Sequence, residues 1–210
     1  MCVNKEVSIG AFIICSVSCL YLYKRNHIND RWIAVFFFYL GLMQFLEYLM
    51  WIDQECSGLN QSATNIAYIH NILQPIISLC IAFFYAKGKL PSYLYIVFII
   101  YLVYSLPKIM EMKKEGQCSL PCKTGNLGLS WEYTNTVNSE YVWGIFCLGI
   151  SLPLLTMKKN GGVYTSIIII LYTIACFIST ERCPNAAVPS SGSWWCMMAS
   201  LVPLIAIKLN

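Results

Sequence analysis

Charged side chains are scarce in this chain. Only 11% of its 210 residues are Asp, Glu, Lys or Arg, whereas a typical soluble domain has about 25%. Hydrophobic residues make up 58% of the chain, and the mean hydropathy is +0.60. This composition excludes an ordinary soluble globular domain and predicts an integral membrane protein with membrane lipids as partners. The net charge of +4 is small and interrupted by apolar segments, so no nucleic-acid partner is expected.

The chain also lacks the motifs of several enzyme and receptor classes. It has two histidines and no HExxH pattern, which is too few imidazoles for a zinc hydrolase. It has no GxSxG sequence, and the spacing of Cys118 and Cys122 differs from the redox CxxC motif. The last apolar segment has no central lysine that could bind retinal, and no receptor motif is present. We therefore predict no metal, no cofactor and no assigned catalytic residue.

Long apolar segments are what the chain has instead. A helix needs about 20 predominantly apolar residues to span a bilayer, with a usual range of about 17 to 25. Seven segments are predicted to span: residues 7–23, 32–52, 66–86, 93–108, 140–157, 163–180 and 193–208. The prediction is an all-α, single-domain bundle of seven transmembrane helices with one long outer loop over residues 109–139.

The distribution of basic residues favours an outside or lumenal N-terminus and a cytoplasmic C-terminus. With that orientation, eight Lys and Arg residues lie on the inner side and six on the outer side. Four of the outer six lie in or beside the long loop, where the positive-inside rule is weakest. This orientation also leaves no cysteine in an inner loop, as expected where the cytosol keeps thiols reduced.

Outer cysteines and one sequon indicate a secretory-pathway membrane. The disulfide candidates are Cys56, Cys118, Cys122, Cys183 and Cys196. The spacing of these cysteines does not determine which of them pair. Asn60 begins the only N-glycosylation sequon and is the glycosylation candidate. We therefore expect the endoplasmic reticulum, the plasma membrane or a virion envelope.

Two apolar segments carry polar residues that are costly in hydrocarbon. Gln44 and Glu47 share one face of the second segment, and His70, Asn71 and Gln74 lie close together on the third. From the predicted midpoints, at about 1.5 Å per residue, Glu47 and His70 lie roughly 7 and 9 Å toward the outside. We therefore predict that Glu47 pairs with His70 and Gln44 with Gln74, either as helix-packing contacts or as an outward polar pocket.

Residues on other segments at similar depth would complete this pocket. Tyr104 and Ser105 lie on the fourth segment, Thr173 on the sixth and Trp195 on the seventh. The predicted ligand-binding residues are Glu47, His70, Gln44, Gln74, Asn71, Tyr104 and Trp195.

Three short stretches carry a resemblance to known proteins: MQFLEYLMW at 43–51, HNILQP at 70–75 and SWWCMMAS at 193–200. They resemble small, uncharacterised multipass membrane proteins of large DNA viruses and microbial eukaryotes. The resemblance implies a matched pair of polar helices and a viral source, and it implies no activity.

Three functions remain open from the sequence. The leading hypothesis is a non-enzymatic membrane protein that binds or moves a small polar or amphiphilic ligand through the outward pocket. The alternatives are an intramembrane lipid-modifying enzyme that uses Glu47 and His70 as an acid–base pair, and a structural or assembly protein without a ligand.

Overall fold

The computed structural model describes residues 4–85, 89–110, 118–121, 129–130, 139–158, 161–179 and 191–209. The described residues are mostly helical, as predicted, and each predicted segment contains a helix. The elements in chain order are α1 (Lys5–Arg25), α2 (Asp30–Ile52), α3 (Leu59–Tyr85), α4 (Ser92–Met110), β1 (Leu120–Pro121), β2 (Leu129–Ser130), α5 (Ser139–Leu154), α6 (Gly161–Ser179), α7 (Ser191–Ala199) and α8 (Val202–Leu209). The two short strands pair antiparallel and modify the all-α prediction.

The seventh predicted segment contains two helices, α7 and α8, separated by a turn at Ser200 and Leu201. Pro203 has no backbone N–H and cannot donate to the carbonyl of Ala199, which favours an interruption at this point. The hydroxyl of Ser200 donates to the carbonyl of Cys196 at 2.8 Å, which also accepts from the backbone N–H of Ser200 at 3.1 Å.

Helices α1, α2 and α3 are each long and apolar enough to cross a membrane. Within the described residues, four shorter apolar helical stretches follow: Ser92–Ser105, Gly144–Leu154, Gly162–Ala175 and Trp195–Lys208. The three long helices indicate a membrane protein.

Helix α2 lies at the centre of the bundle. It packs against α1, α3, α7 and α8, and several of its large side chains, among them Trp32, Phe37 and Met43, are fully buried. Gly41 allows α1 to approach closely, because a Cβ atom at this position would lie 2.6 Å from the Sγ atom of Cys15. Small residues at such crossings let membrane helices gain dispersion contacts where water-driven association is absent.

Helix α3 begins at Leu59, seven residues before the predicted start at residue 66. Residues 59–65 are largely polar, so hydropathy gave no sign of these two extra turns. The carboxylate of Asp53 accepts hydrogen bonds from the backbone N–H groups of Ser57 and Asn60, both at 2.9 Å. The bond from Asn60 satisfies a donor in the first turn of α3, as a capping side chain does, and the bond from Ser57 holds the loop before it.

Asn60 is completely buried at this helix start, which corrects the prediction of a glycan there. Its amide nitrogen donates to the carbonyls of Met50 and Ser119, both at 3.0 Å, and its amide oxygen accepts from the backbone N–H of Ser119 at 2.9 Å. A glycan on this nitrogen is incompatible with the packing.

Cys56 and Cys118 form a disulfide that joins the α2–α3 loop to the β1 region. We call this end of the bundle the disulfide end. Of the other candidates, Cys196 is buried in α7, and Cys122 and Cys183 lie outside the described residues.

The opposite end, which we call the basic end, is held by the α1–α2 loop. The guanidinium of Arg25 donates to both carboxylate oxygens of Asp30 at 2.8 and 2.9 Å, and to the carbonyl of Ile207 in α8 at 3.0 Å. The side chain of Asn29 exchanges two hydrogen bonds with the backbone of Lys158. The loop thereby joins α1 and α2 to α8 and to the end of α5.

Candidate functional site

Polar side chains in α2 and α3 form two separate groups. The first consists of Gln44 and Glu47, both fully buried in α2, where the amide nitrogen of Gln44 donates to a carboxylate oxygen of Glu47 at 3.0 Å. The spacing of three residues places both side chains on one face of the same helix. The carboxylate thus has an intrahelical partner.

The second group joins α2 to α3 through Tyr39 and His70. The two rings are stacked with centroids 4.3 Å apart. The hydroxyl of Tyr39 donates to the carbonyl of His70 at 3.2 Å, and the Nε2 atom of His70 lies 2.8 Å from the carbonyl of Tyr39. Because a carbonyl can only accept, Nε2 carries the hydrogen.

Gln74 lies one turn beyond His70 and is fully buried. Its amide nitrogen donates to the side-chain oxygen of Asn71 at 2.8 Å and lies 3.5 Å from Nδ1 of His70. Its amide oxygen, Oε1, is buried and has no hydrogen-bond partner among the described residues. Because Nε2 of His70 carries the hydrogen, its Nδ1 is an acceptor, so the Gln74 amide nitrogen faces it and Oε1 is the unmatched atom.

A second acceptor lies in the same turn. Pro75 is inside α3 and has no N–H, so the backbone carbonyl of Asn71 lacks its usual helical donor. The carbonyl of Ile72, its neighbour, accepts a hydrogen bond from the hydroxyl of Tyr101 in α4 at 2.6 Å. We call Tyr39, His70, Asn71, Gln74 and Tyr101 the α3 polar cluster.

The predicted pairs do not form. Among the hydrogen bonds between these described residues, none joins Glu47 to His70 or Gln44 to Gln74. Glu47 bonds to Gln44, His70 to Tyr39, and Gln74 to Asn71. The reason is the early start of α3. The midpoint of Leu59–Tyr85 is Ile72, so His70 lies only about 3 Å from mid-helix, whereas Glu47 lies about 9 Å beyond Gly41, the midpoint of α2.

Residues on the other helices take different roles from those expected. Tyr104 is half-buried in α4, and it is Tyr101, one turn earlier, that reaches α3. Trp195 is buried in an aromatic cluster, stacked on Tyr172 at 5.9 Å and edge-on to Phe146 at 6.4 Å. Ser105 and Thr173 donate to carbonyls of their own helices, which is the usual behaviour of such residues in apolar helices.

Tyr39 and Tyr101 were missed by reasoning from the sequence. Both lie in aromatic-rich runs, where a tyrosine resembles its phenylalanine and isoleucine neighbours. Pro75 was no signal for them, because the carbonyl that it frees belongs to Asn71, whereas the two hydroxyls donate to the carbonyls of His70 and Ile72.

No family model, curated protein or solved structure matches this chain. Within the part of the chain that the structure describes, no three His, Cys, Asp or Glu side chains are grouped as ligands for a metal ion. The α3 polar cluster places hydrogen-bond acceptors inside an apolar bundle, and one of them, Gln74 Oε1, has no partner among the described residues.

Proposed function

We propose that this protein crosses the membrane seven times and binds a small polar or amphiphilic ligand at the α3 polar cluster. The observation that carries the proposal is the amide oxygen of Gln74, which is buried and lacks a partner among the described residues. An unmet acceptor in a low-dielectric interior costs about 1 to 3 kcal/mol. A ligand that donates a hydrogen bond to this oxygen would recover that free energy.

The arrangement of donors and acceptors limits the chemistry of the ligand. Gln74 Oε1 and the backbone carbonyl of Asn71 are both acceptors within one turn of α3, so the ligand must supply donors. A hydroxyl or an ammonium group meets this need, and a carboxylate or phosphate does not. The apolar surroundings favour a ligand whose remaining atoms are hydrocarbon.

The orientation is part of the proposal. Four exposed cations, Lys24, Arg31, Lys158 and Lys208, belong to segments joined at the basic end, and the Cys56–Cys118 disulfide lies at the other end. The positive-inside rule and the need for an oxidising compartment both favour a cytoplasmic basic end and a lumenal or extracellular disulfide end. This arrangement supports a membrane of the secretory pathway.

A structural or assembly role is the second candidate. It is favoured by the reciprocal bonds between Tyr39 and His70, which resemble interhelical packing contacts. The enzymatic alternative depended on contact between Glu47 and His70, and within the described part of the chain no hydrogen bond joins these two side chains.

The test replaces Gln74 by leucine, which keeps the volume and removes both polar atoms. Ser78→Ala is the matched control, because Ser78 lies one turn further on α3 and its hydroxyl is already satisfied by the carbonyl of Ile150 at 3.2 Å. Native mass spectrometry of protein purified from membranes reports any retained small-molecule mass, and thermal unfolding of the stripped protein reports stability.

We expect Gln74→Leu to lose the retained mass while its melting temperature stays the same or rises, because an unmatched polar atom is removed. Ser78→Ala should keep the mass. If the wild-type protein retains no small molecule, or if Gln74→Leu retains it and is less stable, the binding proposal fails and the structural role is favoured.

A further inference from the structure

Helix α2 is exposed along a single narrow stripe. Its exposed residues recur at spacings of three, four and seven and lie on one face of the helix. They are Arg31, Val35, Phe38, Phe45 and Ile52, with half-buried Leu42 in line between them. We call this set the α2 stripe.

The stripe is recessed between its neighbours. Val35, Phe38 and Phe45 are each about two-fifths exposed, whereas outward residues on other helices reach 63% at Val17 and 69% at Val103. From the α1 side, Phe12 packs its ring 5.4 Å from that of Phe45. On the other side, α3 packs against α2. The stripe is therefore the floor of a shallow apolar groove with α1 and α3 as its walls.

A cation closes the groove at the basic end. The exposed guanidinium of Arg31 lies 5.1 Å from the ring centroid of Tyr23 in α1, which holds it at the head of the stripe. Tyr85 is the last residue of α3, at the same end of the bundle. A cation held on a tyrosine at the end of an apolar groove has the composition of a membrane–water interface.

The charge of this end has one sign. In the described ranges, its exposed charged side chains are those of Lys24, Arg31, Lys89, Lys158 and Lys208, and its one carboxylate, Asp30, is buried against Arg25. No described carboxylate is therefore left to neutralise Arg31. An anionic group is the complementary partner.

The length of the groove fits one lipid leaflet. From Val35 to Phe45 the helix rises about 15 Å, which is half of the roughly 30 Å hydrocarbon core of a bilayer. We propose that the α2 stripe binds one anionic glycerophospholipid. Its headgroup phosphate accepts hydrogen bonds from Arg31, and an acyl chain lies along Val35, Phe38 and Phe45. This site is separate from the α3 polar cluster and requires only that α2 is embedded in a membrane.

The headgroup half is tested with Arg31→Gln and a matched control, Lys208→Gln, which removes an exposed cation at the same end but on α8. Delipidated wild-type protein and both variants are titrated with phosphatidylserine or phosphatidylcholine in detergent, and bound lipid is counted by native mass spectrometry. We expect the wild type to prefer phosphatidylserine. Arg31→Gln should lower that affinity by roughly fivefold, and Lys208→Gln should leave it nearly unchanged.

Equal losses in the two variants would mean that overall charge attracts the lipid, and no preference in the wild type would mean that no anionic site exists. Either result overturns the proposal. Binding only of an acidic peptide, with no lipid preference, would likewise overturn it in favour of a protein partner.

The acyl-chain half is tested with a phosphatidylserine that carries a photoreactive diazirine in its chain. After reconstitution and irradiation, we expect adducts concentrated at Val35 and Phe38, with fewer at the more exposed Ile96 and Ile99 of α4. Adducts distributed among lipid-facing residues in proportion to their exposure would overturn the groove.

Discussion

At the scale of single residues, Asn60 shows how burial changes the meaning of a short motif. Its side chain joins the end of α2, the start of α3 and Ser119 through three hydrogen bonds. It also accepts a bond from the hydroxyl of Thr64 at 3.0 Å. The sequon is therefore part of the packing at the disulfide end.

We expect Asn60→Ala to lower the free energy of unfolding by about 2 kcal/mol, because it leaves buried backbone partners unsatisfied. Ser62→Ala is the control: it destroys the same sequon at an exposed position, and its stability should match the wild type. Chemical denaturation in detergent measures both. A gel shift of the wild type on enzymatic deglycosylation, absent in Ser62→Ala, would contradict the buried position of Asn60.

Asp53, at the same end, should make the stability of the fold depend on pH. Backbone N–H groups of Asn60 and Ser57 donate to its carboxylate and hold its pKa below the model-peptide value of 3.8. A carboxyl group with a lowered pKa in the folded state stabilises the fold above its unfolded pKa. That contribution is lost as the pH falls through 3.8 toward the folded pKa.

Thermal unfolding from about pH 6 to about pH 3 should therefore show a loss of stability that is smaller in Asp53→Asn than in the wild type. The control is Glu55→Gln, because Glu55 is exposed, and the stability of this variant should change with pH as that of the wild type does. If Asp53→Asn and the wild type lost the same stability between these pH values, protonation of Asp53 would not contribute to the acid sensitivity of the fold.

At the scale of elements, the crossing of α1 and α2 depends on Gly41. A Cβ atom there would meet Cys15 Sγ at 2.6 Å and Cys15 Cβ at 3.3 Å, so the Cys15 side chain must rotate or the helices must separate to accept a larger residue. Gly10, in contrast, has open space around its Cβ position. The two glycines thus form a matched pair of test sites.

We expect Gly41→Ala to destabilise the protein by about 1 to 3 kcal/mol through overpacking. Gly10→Ala should be neutral or stabilising by up to about 1 kcal/mol, as in an exposed helix. Adding Cys15→Ala to Gly41→Ala should recover part of the loss, and a double-mutant cycle measures this coupling. Strict additivity would show that the two helices do not meet at these residues.

At the scale of the whole molecule, the bundle is joined at both ends by contacts between distant parts of the chain. The disulfide closes a loop of 62 residues, and such a closure stabilises a fold by about 4 kcal/mol in the chain-entropy account. At the basic end, Arg25 links Asp30 to the last turn of α8. These two connections hold the helices in one register.

We expect Arg25→Gln to cost about 3 kcal/mol of unfolding free energy, because it leaves the carboxylate of Asp30 buried without its cation. The double variant with Asp30→Asn should regain much of this loss. Lys24→Gln, at an adjacent exposed cation, should change stability little. Equal stability of Arg25→Gln and the wild type would show that the pair is not held in the folded protein.

The sequence by itself determined which segments contain helices, because apolar runs are local properties. Cys56 and Cys118 likewise belonged to the predicted disulfide set, although their pairing was left open. Only the tertiary structure decided which polar groups meet. The seven-residue extension of α3 depends on Asp53, a residue outside that helix, and it changes the depth of His70 relative to Glu47. Partner choice depends on helix register and on contacts far apart in the chain, which hydropathy does not encode.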